Sequence, residues 1–327
     1  MKKKPFKILL DICYWFFIGL YTTIAIIPQI PRSFFIGLMS FLDPKRANDL
    51  KYKGKPVIPR VILSLSLSVY FICVFISSRW YVQKLKTDYL ANDIIESTKI
   101  LEKEEKEIIS TEEYTPEDND NYDNIGFLSV DFDELLQKNS DTVGWIKVNN
   151  TKVNYSIVQS TNNEYYLKYD FNKKRNSSGW VFADYRDNLQ YFGNNSIIYA
   201  HNTLTKTMFS TLTWCTKKSW YENEENHFIK VSTPYTNTVW KIFSIYTIKP
   251  ELYYLTTYFK DDEEHLKFID TLTKRSIYDF NTELNTEDRI LTLSTCTDDG
   301  TKRVVIHAKM IKVEYRWGKI WKTKKAY

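Results

Sequence analysis

Cysteine and histidine are both scarce in this chain, four of each among 327 residues. Four cysteines do not make a disulfide framework, and Cys13 and Cys73 fall inside apolar runs, where a thiol serves as a small hydrophobe. That leaves Cys215 and Cys296. A bond between them would silence the only cysteine set among chemically useful neighbours, so Cys215, in Leu-Thr-Trp-Cys-Thr, reads as a packing residue. The residues present require no metal and no cofactor. The one acidic, turn-rich stretch, Thr115 to Asn124, lacks the glycine and the closing glutamate of a calcium loop. Charge of one sign is also lacking: 45 basic against 40 acidic residues leave a net +5. No nucleic-acid motif accompanies that mild excess, which excludes nucleic acid as a partner. The densest basic patch, Arg316 to Lys325, suits an anionic wall or lipid surface.

What is present is a hairpin with chemistry at its turn. Leu291-Thr-Leu-Ser-Thr-Cys296 and Arg303-Val-Val-Ile-His-Ala-Lys-Met310 are both β-branched and apolar, and Asp299-Gly300 between them is a strong turn signal. Folding it sets Cys296 beside Arg303. Alternation puts Thr292, Ser294 and Cys296 on one face, and Arg303, Val305 and His307 on one face of the partner strand. A guanidinium that keeps its proton can stabilise a thiolate, or an oxyanion forming next to it. That is the pairing a cysteine acyl-transfer enzyme needs.

A general acid or base must complete it. His307 lies four residues beyond Arg303, roughly 13 Å from the cysteine end of the hairpin, which assigns it to packing or surface. His265, in Asp-Asp-Glu-Glu-His-Leu-Lys, reads as solvated on a helix, and His227 as a capping or pairing residue. His201 ends an apolar strand, Ser196-Ile-Ile-Tyr-Ala-His201, and enters a polar turn. A β scaffold commonly presents a catalytic side chain from such a strand end.

Tyr199-Ala-His-Asn202 with Met208-Phe209 downstream, Thr292-Leu-Ser-Thr-Cys296 and Arg303 after a short turn together resemble the sortases, class B most closely. The resemblance spans roughly residues 127 to 315 and takes in Gly144-Trp-Ile-Lys-Val and Lys274-Arg-Ser-Ile-Tyr278. Ala200 stands where a glycine is common, and Thr297 where some relatives carry an acid. The resemblance implies a mainly β fold, a closed sortase-like barrel with short helices. It implies a transpeptidase in which Cys296 attacks the threonine carbonyl of a C-terminal sorting signal and releases the rest of that signal. His201 would be the general acid and then base, Arg303 the oxyanion partner, and Asn202, Ser294, Thr295, Ile277 and Tyr278 substrate contacts. The partners implied are surface proteins bearing an Asn-Pro-x-Thr signal, or a Leu-Pro-x-Thr-Gly variant. The acceptor implied is an amine of a peptidoglycan precursor or a pilin-type lysine. A hydrolase on the same scaffold and a catalytically silent binding domain remain as alternatives.

The N-terminal part reads as a membrane anchor over 1–79. Apolar runs at 8–27 and 61–77 are each about long enough to span, and a basic loop at 43–60 separates them. The positive-inside rule keeps that loop in the cytoplasm and exports the C-terminal domain, whether both runs span or only the second. Residues 80–125 read as a stalk and acidic linker. An amphipathic helix is expected there through Leu85, Leu90, Ile94, Ile95, Ile100, Leu101, Ile108 and Ile109. From 126 to 315 follows one domain, with a short helix capped by Asp131 and β-runs at 145–148, 153–158, 196–199, 227–231, 239–245, 290–295 and 304–313. A helix over 261–279, with Leu266, Phe268, Ile269, Leu272 and Ile277 at helical spacing, interrupts them; in class B sortases a helix before the cysteine strand helps wall the substrate groove, so this one is expected either to do so or simply to pack on the barrel. Residues 316–327 form a basic tail.

Overall fold

The computed structural model describes residues 58–102, 122, 124–203, 206–297 and 300–316. The first apolar run, most of the basic loop, the Glu-rich run after 102, most of the acidic linker, Asp299 and the tail beyond 316 lie outside the described residues. By its contacts the chain divides into two units, Met1–Tyr81 and Val82–Tyr327.

Helix α1, Ile58–Ser97, contributes to both units. In the first unit the side chains of Val69, Tyr70, Phe71, Ile72, Val74, Phe75 and Ile76 are exposed. Of the side chains from 58 to 67, only that of Ser66 is described. Among the described residues no helix is long and apolar enough to cross a membrane. In the second unit α1 does not stand off as a stalk. Ala91 and Ile94 are buried in the main core cluster, with Leu90 and Ile95 packed against it. The helix also ends well before the periodicity suggests, at Ser97 and not near Ile109. Thr98 Oγ1 and Ser97 Oγ both donate to the Ile94 carbonyl, at 2.6 and 3.2 Å, and close the last turn. Ile100 and Leu101 then form strand β1 (Ile100–Glu102), antiparallel to β2 (Leu128–Val130).

Helix α2, Asp133–Lys138, begins two residues after the expected cap. Phe132 takes the cap position, while Asp131 Oδ1 accepts from the Asp133 amide at 3.2 Å. Eight further strands follow: β3 (Thr142–Val148), β4 (Asn154–Val158), β5 (Phe182–Ala183), β6 (Asn195–Tyr199), β7 (Phe228–Ser232), β8 (Thr236–Ile248), β9 (Ile290–Cys296) and β10 (Arg303–Tyr315). They close a barrel in the order β10-β8-β7-β3-β4-β5-β6-β9. Two neighbour pairs, β4–β5 and β6–β9, are parallel. Parallel neighbours need long crossovers, and those crossovers carry the loops and the helix that surround the candidate site.

Alternation along β9 and β10 builds two cores. Leu291, Leu293, Ile306 and Ala308 point inward to the cluster of Trp180, Phe171, Phe209 and Trp240. Ile290 and Val305 point outward and meet Phe268, Ile269 and Leu272 of helix α3, Asp262–Lys274. Asp261 caps α3 by accepting from the Glu264 amide at 2.9 Å, and acids fill its first turn, where they complement the helix dipole. His265 is not solvated. It is 2 % exposed and stacked on Phe259, because the face of α3 carrying Phe268 and Leu272 carries it too. Leu266 and Ile277, expected in the apolar stripe, are exposed.

Gly179 holds a tight turn with φ +57°, and a Cβ there would lie 2.3 Å from the Tyr166 carbonyl, which the Trp180 amide needs as its partner. Gly179→Ala is expected to cost about 1–3 kcal/mol, read as a lower denaturant midpoint. An unchanged midpoint would contradict this.

Candidate active site

Three adjacent strands meet at one end of the barrel. In the β9–β10 pair Cys296 lies opposite Arg303, Ser294 opposite Val305 and Thr292 opposite His307. On the other side of β9, parallel β6 pairs Tyr199 with Ser294, and the Ala200 amide continues the ladder to the Ser294 carbonyl at 3.5 Å. Two residues past Tyr199, in the loop that follows β6, comes His201, and two past Ser294 comes Cys296, so continuing that register would bring the two side by side. The Asn202 side-chain amide seals this end by donating to the Cys296 carbonyl at 3.0 Å. The thiol has the guanidinium-bearing strand about 4.8 Å away on one side, and on the other the loop after β6 that carries His201 and Asn202.

The surroundings tune each group. Cys296 is a free, half-buried thiol. His201 Nε2 donates to the Leu167 carbonyl at 2.9 Å. A carbonyl only accepts, so in the neutral ring Nδ1 is the nitrogen left to take up a proton. Arg303 Nη1 donates to the Lys302 carbonyl at 3.2 Å, which keeps the guanidinium at the turn end of the hairpin. Next to the thiol, Ser294 Oγ and the Tyr254 hydroxyl are 3.0 Å apart. Burial raises the pKa of that hydroxyl, against the pull of Ser294 and Arg303.

Beside Tyr199 and Ser294 opens a cavity of about 490 Å³, lined among others by Asn163, Asp184, Arg186, Tyr199, Leu255 and Tyr258. Asp184 organises it. Its carboxylate accepts two bonds from Arg186 at 2.8 Å each, one from Asn163 at 2.8 Å and one from the Tyr199 hydroxyl at 2.9 Å. Burial works to raise its pKa, but these donors, Arg186 foremost, outweigh it and hold the carboxyl below the usual carboxylate range. Arg186 Nη2 also donates to the Leu255 carbonyl at 3.1 Å, tying the far wall to the barrel.

Five of the eight residues expected from sequence therefore converge: His201, Asn202, Ser294, Cys296 and Arg303. Thr295 does not join them, since it alternates to the opposite face of β9 and is buried. Ile277 is exposed and donates its amide to the Ile245 carbonyl of β8. Tyr278 packs among Tyr221, His227 and Phe280. His227 is buried there with Nε2 on the Tyr221 carbonyl at 2.7 Å, and Cys215 is buried and its thiol pKa raised by that burial. Among the described residues no cluster of three or more potential ligands could hold a metal. Asn163, Asp184, Arg186 and Tyr254 escape a sequence reading because they are scattered over ninety residues with no spacing rule. Only Tyr199, two residues before His201, carries a usable signal.

The Sortase domain family matches residues 146–311. Sortase B of Staphylococcus aureus (strain NCTC 8325 / PS 47) is 35 % identical over 185 residues, covering 56 % of this chain and 75 % of that one. Sortase B of Listeria monocytogenes serovar 1/2a is 32 % identical, covering 55 % and 74 %. Among solved structures, a Staphylococcus aureus sortase B–substrate complex aligns with a TM-score of 0.52 at 35 % identity, covering 55 % of this chain and 84 % of that one. A sortase B complexed with triglycine aligns with a TM-score of 0.52 at 34 % identity, covering 55 % and 85 %. The chain belongs to the sortase family. Within it, this is a class B enzyme, a cysteine transpeptidase.

One neighbour of the cavity sets a pH dependence. Asp187 Oδ2 accepts from the Ile197 amide at 2.6 Å, and burial raises its pKa from 3.8 to about 7, with the Asp184 charge adding to the rise. A carboxyl pKa raised in the fold favours the protonated state. Its stabilisation is complete below 3.8 and is lost as pH climbs towards 7. Asp187→Asn keeps an acceptor for Ile197, so it should gain stability on the wild type steadily across that window, read from denaturant midpoints. A pH-independent difference would contradict the assignment.

Proposed function

We propose that Cys296 is the nucleophile of this transpeptidase, His201 its proton carrier and Arg303 its oxyanion partner. The observation that supports the reading is the register: Arg303 pairs with Cys296, and β6 runs parallel to β9 as far as Tyr199–Ser294, two residues short of His201 and Cys296. The Cys296 thiol passes its proton to His201, and its sulfur attacks the carbonyl carbon of a threonine in the sorting signal. The negative charge gathered on that oxygen is met by the Arg303 guanidinium and a nearby backbone N–H, and loss of one such donor typically costs about 10²–10³ in rate. His201 protonates the departing amine, leaving a thioester on Cys296. It then takes a proton from the incoming amine, which forms the new amide and returns the thiol.

Ser294 and Asn202 lie next to the thiol and are the contacts proposed for the signal's backbone. The Asp184–Arg186–Asn163 cavity, with both donors and acceptors, suits a polar side chain of an Asn-Pro-x-Thr type signal. The relatives whose structures hold substrate and triglycine support a peptide donor and an amino-terminal glycine or similar amine as acceptor. The domain is proposed to stand outside the cell membrane, anchored by the run at 61–77 within α1. The exposed apolar side chains from Val69 to Ile76 and the preceding basic loop support this placement.

The test uses the full chain in detergent micelles with a panel of sorting-signal peptides, with and without triglycine, read by intact mass. The expected result is an acyl adduct that Cys296→Ala abolishes and that triglycine converts to a new amide. Cleavage that ignores the amine would overturn the transfer step for these acceptors, and an adduct surviving Cys296→Ala would overturn the nucleophile.

A further inference from the structure

A continuous set of buried polar groups runs beneath the cavity wall, outside the row of reacting groups. The wall is the helical turn Tyr253–Leu255 with Thr256, between the cavity and the outer face of β6 and β9. Three of its carbonyls are held by two side chains. Asn195 Nδ2 donates to the Tyr254 carbonyl at 3.2 Å and to the Thr256 carbonyl at 2.8 Å, and Arg186 holds the Leu255 carbonyl.

The Asn195 amide is itself oriented. Thr292 Oγ1 donates to Asn195 Oδ1 at 2.6 Å, which uses the hydroxyl's single proton. The 2.8 Å contact between Thr292 Oγ1 and His307 Nδ1 must then be a donation from the ring, so Nδ1 carries the proton. Nε2 is left as an acceptor and takes the Tyr246 hydroxyl at 2.8 Å. Tyr246 is bonded in turn by Arg275, and Arg275 pairs with Glu251, two residues before the wall. The circuit therefore begins and ends on the same loop, and each donor meets an acceptor only with His307 neutral. Complete burial agrees, lowering the His307 pKa to about 3, with Arg275 contributing.

We infer that the Thr292–His307–Asn195 network positions the 253–256 wall, so that Tyr254 stays on Ser294 beside Cys296 and the cavity is shaped before substrate arrives. These are positioning residues: none touches the reacting atoms. Thr292 and His307 are the outward residues of β9 and β10 behind Ser294 and Val305, so the strands that present the thiol and guanidinium also hold the wall. Breaking the network leaves a buried polar group unpaired, which costs enough to loosen a segment by about tenfold or more.

The test compares Thr292→Val, which deletes the hydroxyl at nearly constant shape, with Thr292→Ser, which keeps it. Asn195→Asp still accepts from Thr292 but cannot donate to the carbonyls, and decides the matter should Thr292→Val fail to fold. In the full chain, the Leu255 and Thr256 amides bond within the turn, so their hydrogen exchange reports its opening. Exchange there should rise about tenfold in Thr292→Val and Asn195→Asp and return in Thr292→Ser. This arm needs no substrate and stands or falls apart from the proposed chemistry. With a peptide that acylates the wild type, which rests on that chemistry, KM should rise about tenfold while alkylation of Cys296 by iodoacetamide stays within about twofold. Unchanged exchange and KM would overturn the inference. So would alkylation falling in step with KM, since the network would then support the cysteine and not the wall.

Discussion

The site depends on β9 being paired on both sides at once. Its antiparallel ladder with β10 sets Arg303 opposite Cys296, and its parallel ladder with β6 runs to Tyr199–Ser294, two residues short of His201 and Cys296. A slip of one residue on either side would turn His201 or Arg303 to the opposite face, since side chains alternate with a period of two. Register is held by what lies beneath. Leu291, Leu293, Ile306 and Ala308 are fully buried inward-facing residues, and moving them outward would expose a large part of the core. The hydrophobic interior is thus the reason the polar row on the outer face is aligned.

That outer face must be closed without being filled. The outer face of β9 and β10 is covered by Phe268, Ile269 and Leu272 of α3 at Ile290 and Val305, with the Tyr246–His307–Thr292 polar layer set between those two. The turn end, with half-buried Cys296 and Arg303, and the cavity beside Tyr199 remain accessible.

Much of this is legible in the sequence because it is local. The hairpin, the Cys296–Arg303 pairing and the shared face of Thr292, Ser294 and Cys296 follow from alternation and a turn signal, and the observed register agrees with them. His201 can be picked out as a strand-end residue, but its adjacency to Cys296 cannot, because a parallel pairing ninety residues apart leaves no periodic trace. Asp184 and Arg186 meet Tyr199 through the antiparallel β5–β6 pair, but β5 is only two residues long and leaves no periodic trace either. His265 reads as solvated because acids surround it in sequence, while its helical face, shared with Phe268 and Leu272, turns inward. The stretch after Ser97 keeps an apolar spacing that fits a helix on paper, yet Thr98 closes the helix and Ile100 pairs with Val130. Tertiary pairing there outweighs local propensity.

The most direct measurement of the central claim is a crystal structure of the full chain carrying a sorting-signal peptide trapped as a covalent adduct. The account predicts a bond to the Cys296 sulfur. It also predicts the adduct's oxygen about 2.7–3.1 Å from the Arg303 guanidinium, with His201 on the opposite side. An adduct on Cys296 whose oxygen points away from Arg303, or with His201 turned out of the row, would contradict it.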